Sequence, residues 1–193
     1  MTDKITNLIQ ASIQVKQQII TDGHLQKIVA EVTDVIEKAF RAGNKVLFCG
    51  NGGSAADAQH LAAEFSGRFY IDREPLFAEA LHVNTSYLTA VANDYSYDLI
   101  YSRLIRGCGR QGDVLVGLTT SGNSANIIEA FKEAKNKEMI TVGLTGATGG
   151  KLKAESDYLI NVPSTDTPRI QESHILLGHI NCQIVEERLF PQK

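Results

Sequence analysis

The sequence predicts a single α/β domain in three layers, with a central parallel sheet of about five strands between two layers of helices. Short apolar runs lead directly into loops rich in glycine, serine and threonine, and each loop precedes a segment with apolar residues at helical spacing. Strands that are apolar throughout are typical of parallel sheets with both faces covered. The 193 residues are enough for one core, and no linker divides them.

Two amphipathic helices are predicted at the start of the chain. Residues 4–20 and 24–42 carry apolar side chains at helical spacing, and Asp22-Gly23 favours a break between them. These helices contain no chemical motif, and apolar stripes without chemistry of their own are best explained by packing between subunits. We therefore assign residues 1–43 to a helical extension used in oligomer packing, and residues 44–193 to the α/β core and a long final helix.

The core elements alternate as a parallel sheet with crossover helices requires. Strands are predicted at residues 45–49, 77–83, 113–118, 140–144 and 158–162. Helices are predicted at residues 55–65 and 125–137, after Gly150, and at residues 168–189. Such sheets bind ligands at the carboxyl ends of their strands, so functional residues are expected in the loops that follow the strands.

Composition argues against several function classes. A net charge of −3 and a pI near 5.9 give no general attraction to nucleic acid or anionic membranes. No apolar run approaches the ~20 residues of a membrane span, and the polar start does not resemble a secretory signal. The three cysteines, an odd number without a C-x-x-C pair, favour neither a disulfide framework nor a thiolate zinc site. We expect a cytoplasmic protein that binds neither nucleic acid nor membranes.

Two loops are candidates for binding a phosphate. The segment Thr119-Thr120-Ser121-Gly122-Asn123-Ser124 has hydroxyl groups at four of six positions and lies between a strand and a helix. Free N–H groups at a helix start attract an anion, although the same residues are also typical of an ordinary helix N-cap. Because Gly50-Asn51-Gly52-Gly53-Ser54 follows another strand in the same way, the two loops together favour a small phosphorylated ligand. Neither loop matches a nucleotide-binding motif.

A metal site is the second candidate. His60 and Glu64 are four residues apart on a predicted helix, so they share one face, and both are acceptable zinc ligands. Taken alone, this spacing is also common in surface hydrogen-bonded pairs. The final predicted helix carries Gln171, His174 and His179 in an otherwise apolar stretch, where a histidine is usually a core residue. Spacing alone leaves His174 and His179 as competitors.

Four motifs in this order resemble the sugar isomerase (SIS) family and, within it, the phosphoheptose isomerases. They are residues 50–60, Ala92-Asn93-Asp94, residues 120–124 and Arg169-Ile170-Gln171-Glu172. The resemblance covers essentially the whole chain and implies a flavodoxin-like SIS fold. It implies conversion of sedoheptulose 7-phosphate to D-glycero-D-manno-heptose 7-phosphate, which supplies lipopolysaccharide core or another surface glycan. It also implies a homotetramer with active sites at or near subunit interfaces.

The resemblance also implies roles for individual residues. One zinc ion per subunit is expected on His60, Glu64, Gln171 and His179. For the proton shift between adjacent sugar carbons, Glu64 is the candidate base and His179 the candidate acid. Contacts to the substrate are expected from Glu64 and Gln171, from the two loops and from the segment at residues 93–94: Asn51, Gly52, Gly53, Ser54, Asn93, Asp94, Thr119, Thr120, Ser121 and Ser124.

Several alternatives stay open. Gln171 and His179 are ~12 Å apart along a regular helix, so sharing an ion requires inward-leaning side chains, an irregular helix, or two subunits. Asn93-Asp94 is also typical of a turn that ends a helix. A non-catalytic relative that binds a replication initiator is an alternative function, which the presence of Glu64 and His179 disfavours. A sugar-phosphate sensor is a further alternative, but no DNA-binding extension is evident.

Overall fold

The computed structural model describes residues 1–191 and contains a five-stranded parallel sheet. Its strands are β1 (Val46–Gly50), β2 (Ala78–Ala80), β3 (Val114–Leu118), β4 (Ile140–Thr145) and β5 (Tyr158–Asn161). They lie in the order β2-β1-β3-β4-β5 with every neighbouring pair parallel. This is the flavodoxin-like order, so the predicted fold class is confirmed. Residues 192–193 of the predicted domain lie outside the described residues.

Seven α-helices surround the sheet in the described residues. They are α1 (Thr2–Thr21), α2 (Gly23–Arg41), α3 (Gly53–Ser66), α4 (Thr85–Asp94), α5 (Ile100–Cys108), α6 (Ala125–Asn136) and α7 (Thr167–Leu189), with short 3-10 helices at Tyr97–Leu99 and Gly150–Glu155. The predicted break between the first two helices is present, and the Asp22 side chain caps α2 by accepting a hydrogen bond from the Leu25 N–H (2.9 Å). Helices α4 and α5 were not predicted, and β2 is shorter than residues 77–83.

Each face of the sheet carries a separate apolar core. Val46 and Phe48 of β1 face the core that includes α2, α3 and α7, whereas Leu47 and Cys49 face the core that includes α5 and α6. Strands β1 and β3 are buried along their whole length, which explains their continuously apolar sequences. All three cysteines are free thiols, and two of them, Cys49 and Cys182, are buried, where a free cysteine packs as a small apolar residue.

None of the helices within residues 1–191 has the length and apolar character needed to cross a membrane.

Candidate active site

The two glycine loops lie side by side at the carboxyl edge of the sheet. They follow β1 and β3, which are neighbours, and the chain runs outward from β1 to β2 before it returns to β3. A point where the strand order reverses in this way is where doubly wound sheets bind ligands. Helices α3 and α6 begin at these loops, so their N-terminal N–H groups point toward the same edge.

The loop after β3 presents hydroxyl and N–H groups in a fixed backbone. The hydroxyl groups of Thr119 and Ser124 are hydrogen-bonded to each other (2.9 Å), and the exposed Ser121 side chain accepts from the Asn123 N–H (3.1 Å). Gly122 has a φ of +68°, and a Cβ there would lie 2.1 Å from the carbonyl oxygen of Gly149. Ser124 occupies the N-cap of α6 without a side-chain capping hydrogen bond. The first turn of α6 therefore keeps N–H groups available for an anion.

An amide pair joins the two loops. Asn51 and Asn126 each donate a hydrogen bond to the side-chain oxygen of the other (2.9 Å in both directions). The Tyr97 hydroxyl also donates to Asn51 Oδ1 (3.0 Å), and the Tyr101 hydroxyl donates to the Gly50 carbonyl. With its oxygen engaged by two donors, Asn51 keeps one N–H to offer a ligand, so it acts as a donor.

The sequence predicts a role for Asn51 but not for the three side chains that bond to Asn51 and Gly50. Asn126 lies in the first turn of a predicted helix, and an asparagine there gives a weak signal for a buried polar contact. Tyr97 and Tyr101 belong to a region in which no helix was predicted. The apolar spacing of α5, with Ile100, Leu104 and Ile105 on one face, was the signal that could have revealed it.

The predicted histidine and glutamate residues of α3 meet His179 of α7. His60 Nε2 lies 3.1 Å from Glu64 Oε1 and 2.9 Å from His179 Nε2. The Phe69 ring packs against the His179 ring, with their centroids 5.6 Å apart. The His60 side chain is 51% exposed, so this cluster of His60, Glu64 and His179 is open at the surface of the chain.

Burial sets the protonation of the histidines on α7. It lowers the pKa of His179; His60 lowers it further, and Glu64 acts in the opposite direction. The fully buried His174 has its pKa lowered to about 4, mainly by burial, and its Nε2–H donates to the Thr145 carbonyl oxygen (3.1 Å). His174 is thus a neutral core residue, and of the two competing histidines it is His179 that lies beside His60 and Glu64.

The Gln171 side chain lies beside the start of α3. Its amide lies against Gly53, where an added Cβ would be 2.8 Å from Gln171 Nε2, and donates a long hydrogen bond to Ser54 Oγ (3.4 Å). Helix α7 is α-helical over its whole length, so an irregular turn does not shorten the spacing to His179. Gln171 therefore lies with the first glycine loop, next to two other residues predicted to bind substrate.

The remaining predicted residues lie at the end of α4. Asn93 and Asp94 are exposed, and the Asn93 side chain donates a hydrogen bond to Asp94 Oδ1 (2.9 Å). They are the last two residues of the helix, as the alternative interpretation predicted. The chain continues from them to Tyr97, which contacts Asn51, so the helix end and the first loop belong to the same edge of the sheet.

The donor set at the cluster suits zinc. Two imidazole nitrogens and a carboxylate oxygen lie within 4.8 Å of one another. Ligand atoms bound to one zinc ion at about 2.0–2.1 Å in tetrahedral geometry lie about 3.3 Å apart. The separations of 2.9 and 3.1 Å at His60 are close to that value. The three side chains therefore fit one divalent ion with small movements.

Comparison with known proteins identifies the family of the chain. The SIS domain model matches residues 9–146. The phosphoheptose isomerase of Aneurinibacillus thermoaerophilus is 52% identical over 193 residues, which is 100% of this chain and 98% of that protein. The chain belongs to the SIS domain family, among the phosphoheptose isomerases.

Solved structures of the family share the whole fold. The phosphoheptose isomerase GmhA from Neisseria gonorrhoeae has a TM-score of 0.91 at 43% identity. A phosphoheptose isomerase from Francisella tularensis has a TM-score of 0.92 at 35% identity. Each comparison covers 96% of this chain and 98% of the other. The family resemblance expected from the four motifs is therefore confirmed.

Proposed function

We propose that this chain is an aldose–ketose isomerase that converts D-sedoheptulose 7-phosphate to D-glycero-D-manno-heptose 7-phosphate through an enediolate. This is the first step of nucleotide-activated heptose synthesis, and we propose lipopolysaccharide core or another surface glycan as its destination. The single observation that carries the proposal is the meeting of His60, Glu64 and His179 in a chain of this family. Each relative reported above is named an isomerase, and none of them supports the replication-initiator adaptor.

The proposed chemistry needs a base and an acid on neighbouring carbons. Glu64 removes the proton next to the substrate carbonyl, and His179 delivers a proton to the oxygen or carbon that becomes reduced. Glu64 and His179 both lie beside His60, so the proposed base and acid face the same part of the site.

We propose zinc, one ion per subunit, as the metal of the cluster, held by His60, Glu64 and His179 with Gln171 as a fourth ligand. When bound, the ion would polarise the carbonyl and hydroxyl oxygens of the substrate. A Gln171 side chain that leaves Gly53 and Ser54, or one supplied by another subunit, would complete the set. Coordination weakens a carboxylate as a base, so Glu64 is proposed to share its two oxygens between the two tasks.

The substrate contacts are proposed at the carboxyl edge of the sheet. Thr119, Thr120, Ser121 and Ser124 with the start of α6 bind the phosphate, supported by the uncapped N–H groups there. The first loop and the end of α4 bind sugar hydroxyls through Asn51, Gly52, Gly53, Ser54, Asn93 and Asp94. From Gly53 to His60 the distance along α3 is ~10 Å, which separates the proposed sugar contacts of the first loop from the proposed metal ligands.

We further propose a homotetramer with the sites at or near subunit interfaces. Four apolar side chains of α1 are 41–57% exposed, and Ile20 is 70% exposed: the four are Ile5, Leu8, Ile9 and Ile13. A contiguous exposed apolar stripe of this kind marks an interaction surface. An open apolar groove between α1, α2 and α7 continues that surface to Ile180, the neighbour of His179. Light scattering that gives a monomer mass at micromolar concentration would contradict the tetramer.

A cytoplasmic location is part of the proposal, supported by free cysteines and by a phosphorylated substrate. Recovery of the protein in a soluble intracellular fraction is the result expected, and recovery outside the inner membrane would contradict it.

Incubation with sedoheptulose 7-phosphate tests the proposed function. Protein treated with a chelator and protein reloaded with Zn²⁺ are compared, with circular dichroism to show that both are folded. We expect aldose 7-phosphate from the reloaded protein and a much lower rate after chelation. Absence of aldose product from folded protein in both states would contradict the isomerase.

A further inference from the structure

The segment between α3 and β2 is held by one buried ion pair. Glu186, on the last turns of α7, is 3% exposed, and its carboxylate accepts four hydrogen bonds. The donors are the backbone N–H groups of Phe69 (3.0 Å), Tyr70 (2.7 Å) and Ile71 (3.2 Å) and the Arg73 Nε–H (2.9 Å). A carboxylate with this many charge-assisted hydrogen bonds fixes the backbone that supplies them.

The Nη groups of Arg73 cap the carboxyl end of α3. These groups donate to the carbonyl oxygens of Glu64 (2.9 Å), Phe65 (2.9 Å), Gly67 (3.2 Å) and Glu74 (3.0 Å). The last carbonyl groups of a helix lack intrahelical partners, and the final turn frays unless something else binds them. Since α3 ends at Ser66, Glu64 lies on that final turn. Arg73 therefore immobilises the backbone that carries the proposed base.

Arg73 and Glu186 form one buried, ion-paired unit. The side chains of Arg73 and Glu186 are 2% and 4% exposed. Burial alone would raise the pKa of Glu186, but the hydrogen bonds from Tyr70, Phe69 and Arg73 outweigh it and lower that pKa. Glu186 is therefore ionised throughout the neutral range, where its contacts hold.

The unit contacts both proposed acid–base residues indirectly. Arg73 holds the main chain at Glu64, and Glu186 holds the main chain at Phe69, whose ring packs on His179. A buried ion pair contributes little net stability compared with apolar residues of similar volume. Its position beside these two residues is better explained by the geometry that it fixes.

We propose that Arg73 and Glu186 are positioning residues for the site: they hold Glu64 and His179 in the arrangement that binds the metal ion and moves the proton. The inference rests on the proposed roles of Glu64 and His179. It adds Arg73, on the segment between α3 and β2, and Glu186, on α7, two residues for which the sequence predicts no role.

The chain provides a matched control just before β3, in a carboxylate whose hydrogen-bond partners lie outside the proposed site. Asp113 is 1% exposed, pairs with the Lys45 Nζ, and accepts from the backbone N–H groups of Lys45 (3.1 Å) and Arg110 (2.8 Å). It is a buried, ion-paired carboxylate bonded to backbone N–H groups, as Glu186 is. Asp113→Asn therefore reproduces the loss of stability without touching the site.

The test compares Glu186→Gln, Arg73→Lys and Asp113→Asn in the full chain. For each we measure Tm, kcat and KM with sedoheptulose 7-phosphate, and affinity for Co²⁺ from the visible absorption of the Co²⁺ protein. Loss of a residue that supports metal ligands typically reduces metal affinity or activity about 10–100-fold. We expect that loss in kcat and in Co²⁺ affinity for Glu186→Gln and Arg73→Lys, with KM changed less than about threefold because the phosphate loops are untouched.

Asp113→Asn is expected to lower Tm to a similar extent and to leave kcat and Co²⁺ affinity near wild type. If the Glu186 and Arg73 variants change kcat and Co²⁺ affinity no more than Asp113→Asn does, the pair is only structural and the inference is wrong. If they do not fold, Phe69→Leu decides, because it removes the ring from His179 and leaves the ion pair intact. A Phe69→Leu protein with wild-type kcat and Co²⁺ affinity would then overturn the inference.

Failure of the proposed function gives a different result. Wild-type protein that binds Co²⁺ but does not isomerise the sugar phosphate contradicts the function, and the weakened Co²⁺ binding of the variants still measures positioning.

Discussion

The two edges of the sheet handle buried polar groups in opposite ways. At the amino edge, Asp113 bonds to Lys45, Arg110 and Asn44, and these contacts satisfy the carboxylate within the chain. At the carboxyl edge, Asp57 Oδ2 and His174 Nδ1 are buried without a hydrogen-bond partner in the described residues.

This difference separates polar groups that are satisfied within the chain from groups with unused hydrogen-bonding capacity. Buried polar groups that are hydrogen-bonded to one another stabilise a structure. Groups with unused hydrogen-bonding capacity are available to a ligand or a proton. The pKa of Asp57, one turn before His60, is raised by burial and only partly lowered by His60. At Asp113, burial also acts to raise the pKa, but the hydrogen bonds from Lys45, Arg110 and Asn44 outweigh it and lower that pKa. The same residue type thus has opposite pKa shifts at the two sites.

The largest expected effect is at the proposed acid. His179→Gln should lower kcat about 10²–10⁴-fold with little change in KM, because general acid–base catalysis supplies a factor of that size. Steady-state kinetics measures both constants. His24→Gln, at an exposed position in the first turn of α2, is the control and should keep wild-type kcat. Equal kcat values for the two variants would remove His179 from the reaction.

As the pH falls, the stability that His174 contributes at the carboxyl edge should be lost before the stability that Asp113 contributes at the amino edge. The pKa of His174 is about 4 in the folded chain and 6.5 when unperturbed, so the unfolded state binds the proton first. Its contribution to the free energy of unfolding is complete above pH 6.5 and is lost as the pH falls to 4, by ~3 kcal/mol in total. Because the pKa of Asp113 is lowered from its ordinary value of 3.8, the contribution of Asp113 to the free energy of unfolding is lost only at still lower pH.

Urea unfolding at several pH values between 7 and 4 measures this dependence. His174→Gln retains an N–H donor for the Thr145 carbonyl but does not titrate, so its free energy of unfolding should vary less over that range. The same pH dependence in His174→Gln and wild type would show that another group is responsible.

The phosphate loop should give the smallest effect. Ser121→Ala combined with Ser124→Ala should raise KM by roughly tenfold or more and leave kcat nearly unchanged, because bonds to a remote phosphate are equal in ground and transition states. Thr89→Ala, which removes a hydroxyl bonded to the Thr85 carbonyl on α4, is the control and should leave KM unchanged. A loss confined to kcat would contradict the placement of the phosphate.

Much of this architecture was predictable because it depends on patterns among residues that are close in sequence. The runs at residues 45–49, 113–118 and 140–144 are apolar on both faces, and they became the central strands. Each leads into a loop of small polar residues, and the carboxyl edge of a parallel sheet brings such loops together. Predicting His60 with Glu64 required only that they share a helix face.

The rest depends on contacts between residues distant in sequence. Asn126 pairs with Asn51 across 75 positions, and Glu186 pairs with Arg73 across 113 positions. Neither partner is marked by its own neighbours in the sequence. The position of the Gln171 amide could not be predicted either, because spacing gives its distance from His179 along the helix but not the direction in which the amide points.

Proton exchange with solvent tests the central claim most directly, namely that Glu64 is the base of the reaction. The isomerisation is run in D₂O with wild type, Glu64→Gln and Glu187→Gln, whose side chain is exposed near the end of α7. Mass spectrometry then measures deuterium on the substrate carbons. We expect incorporation by wild type and Glu187→Gln, and none by Glu64→Gln although it still binds the sugar phosphate. Incorporation by Glu64→Gln at the wild-type rate would contradict the claim.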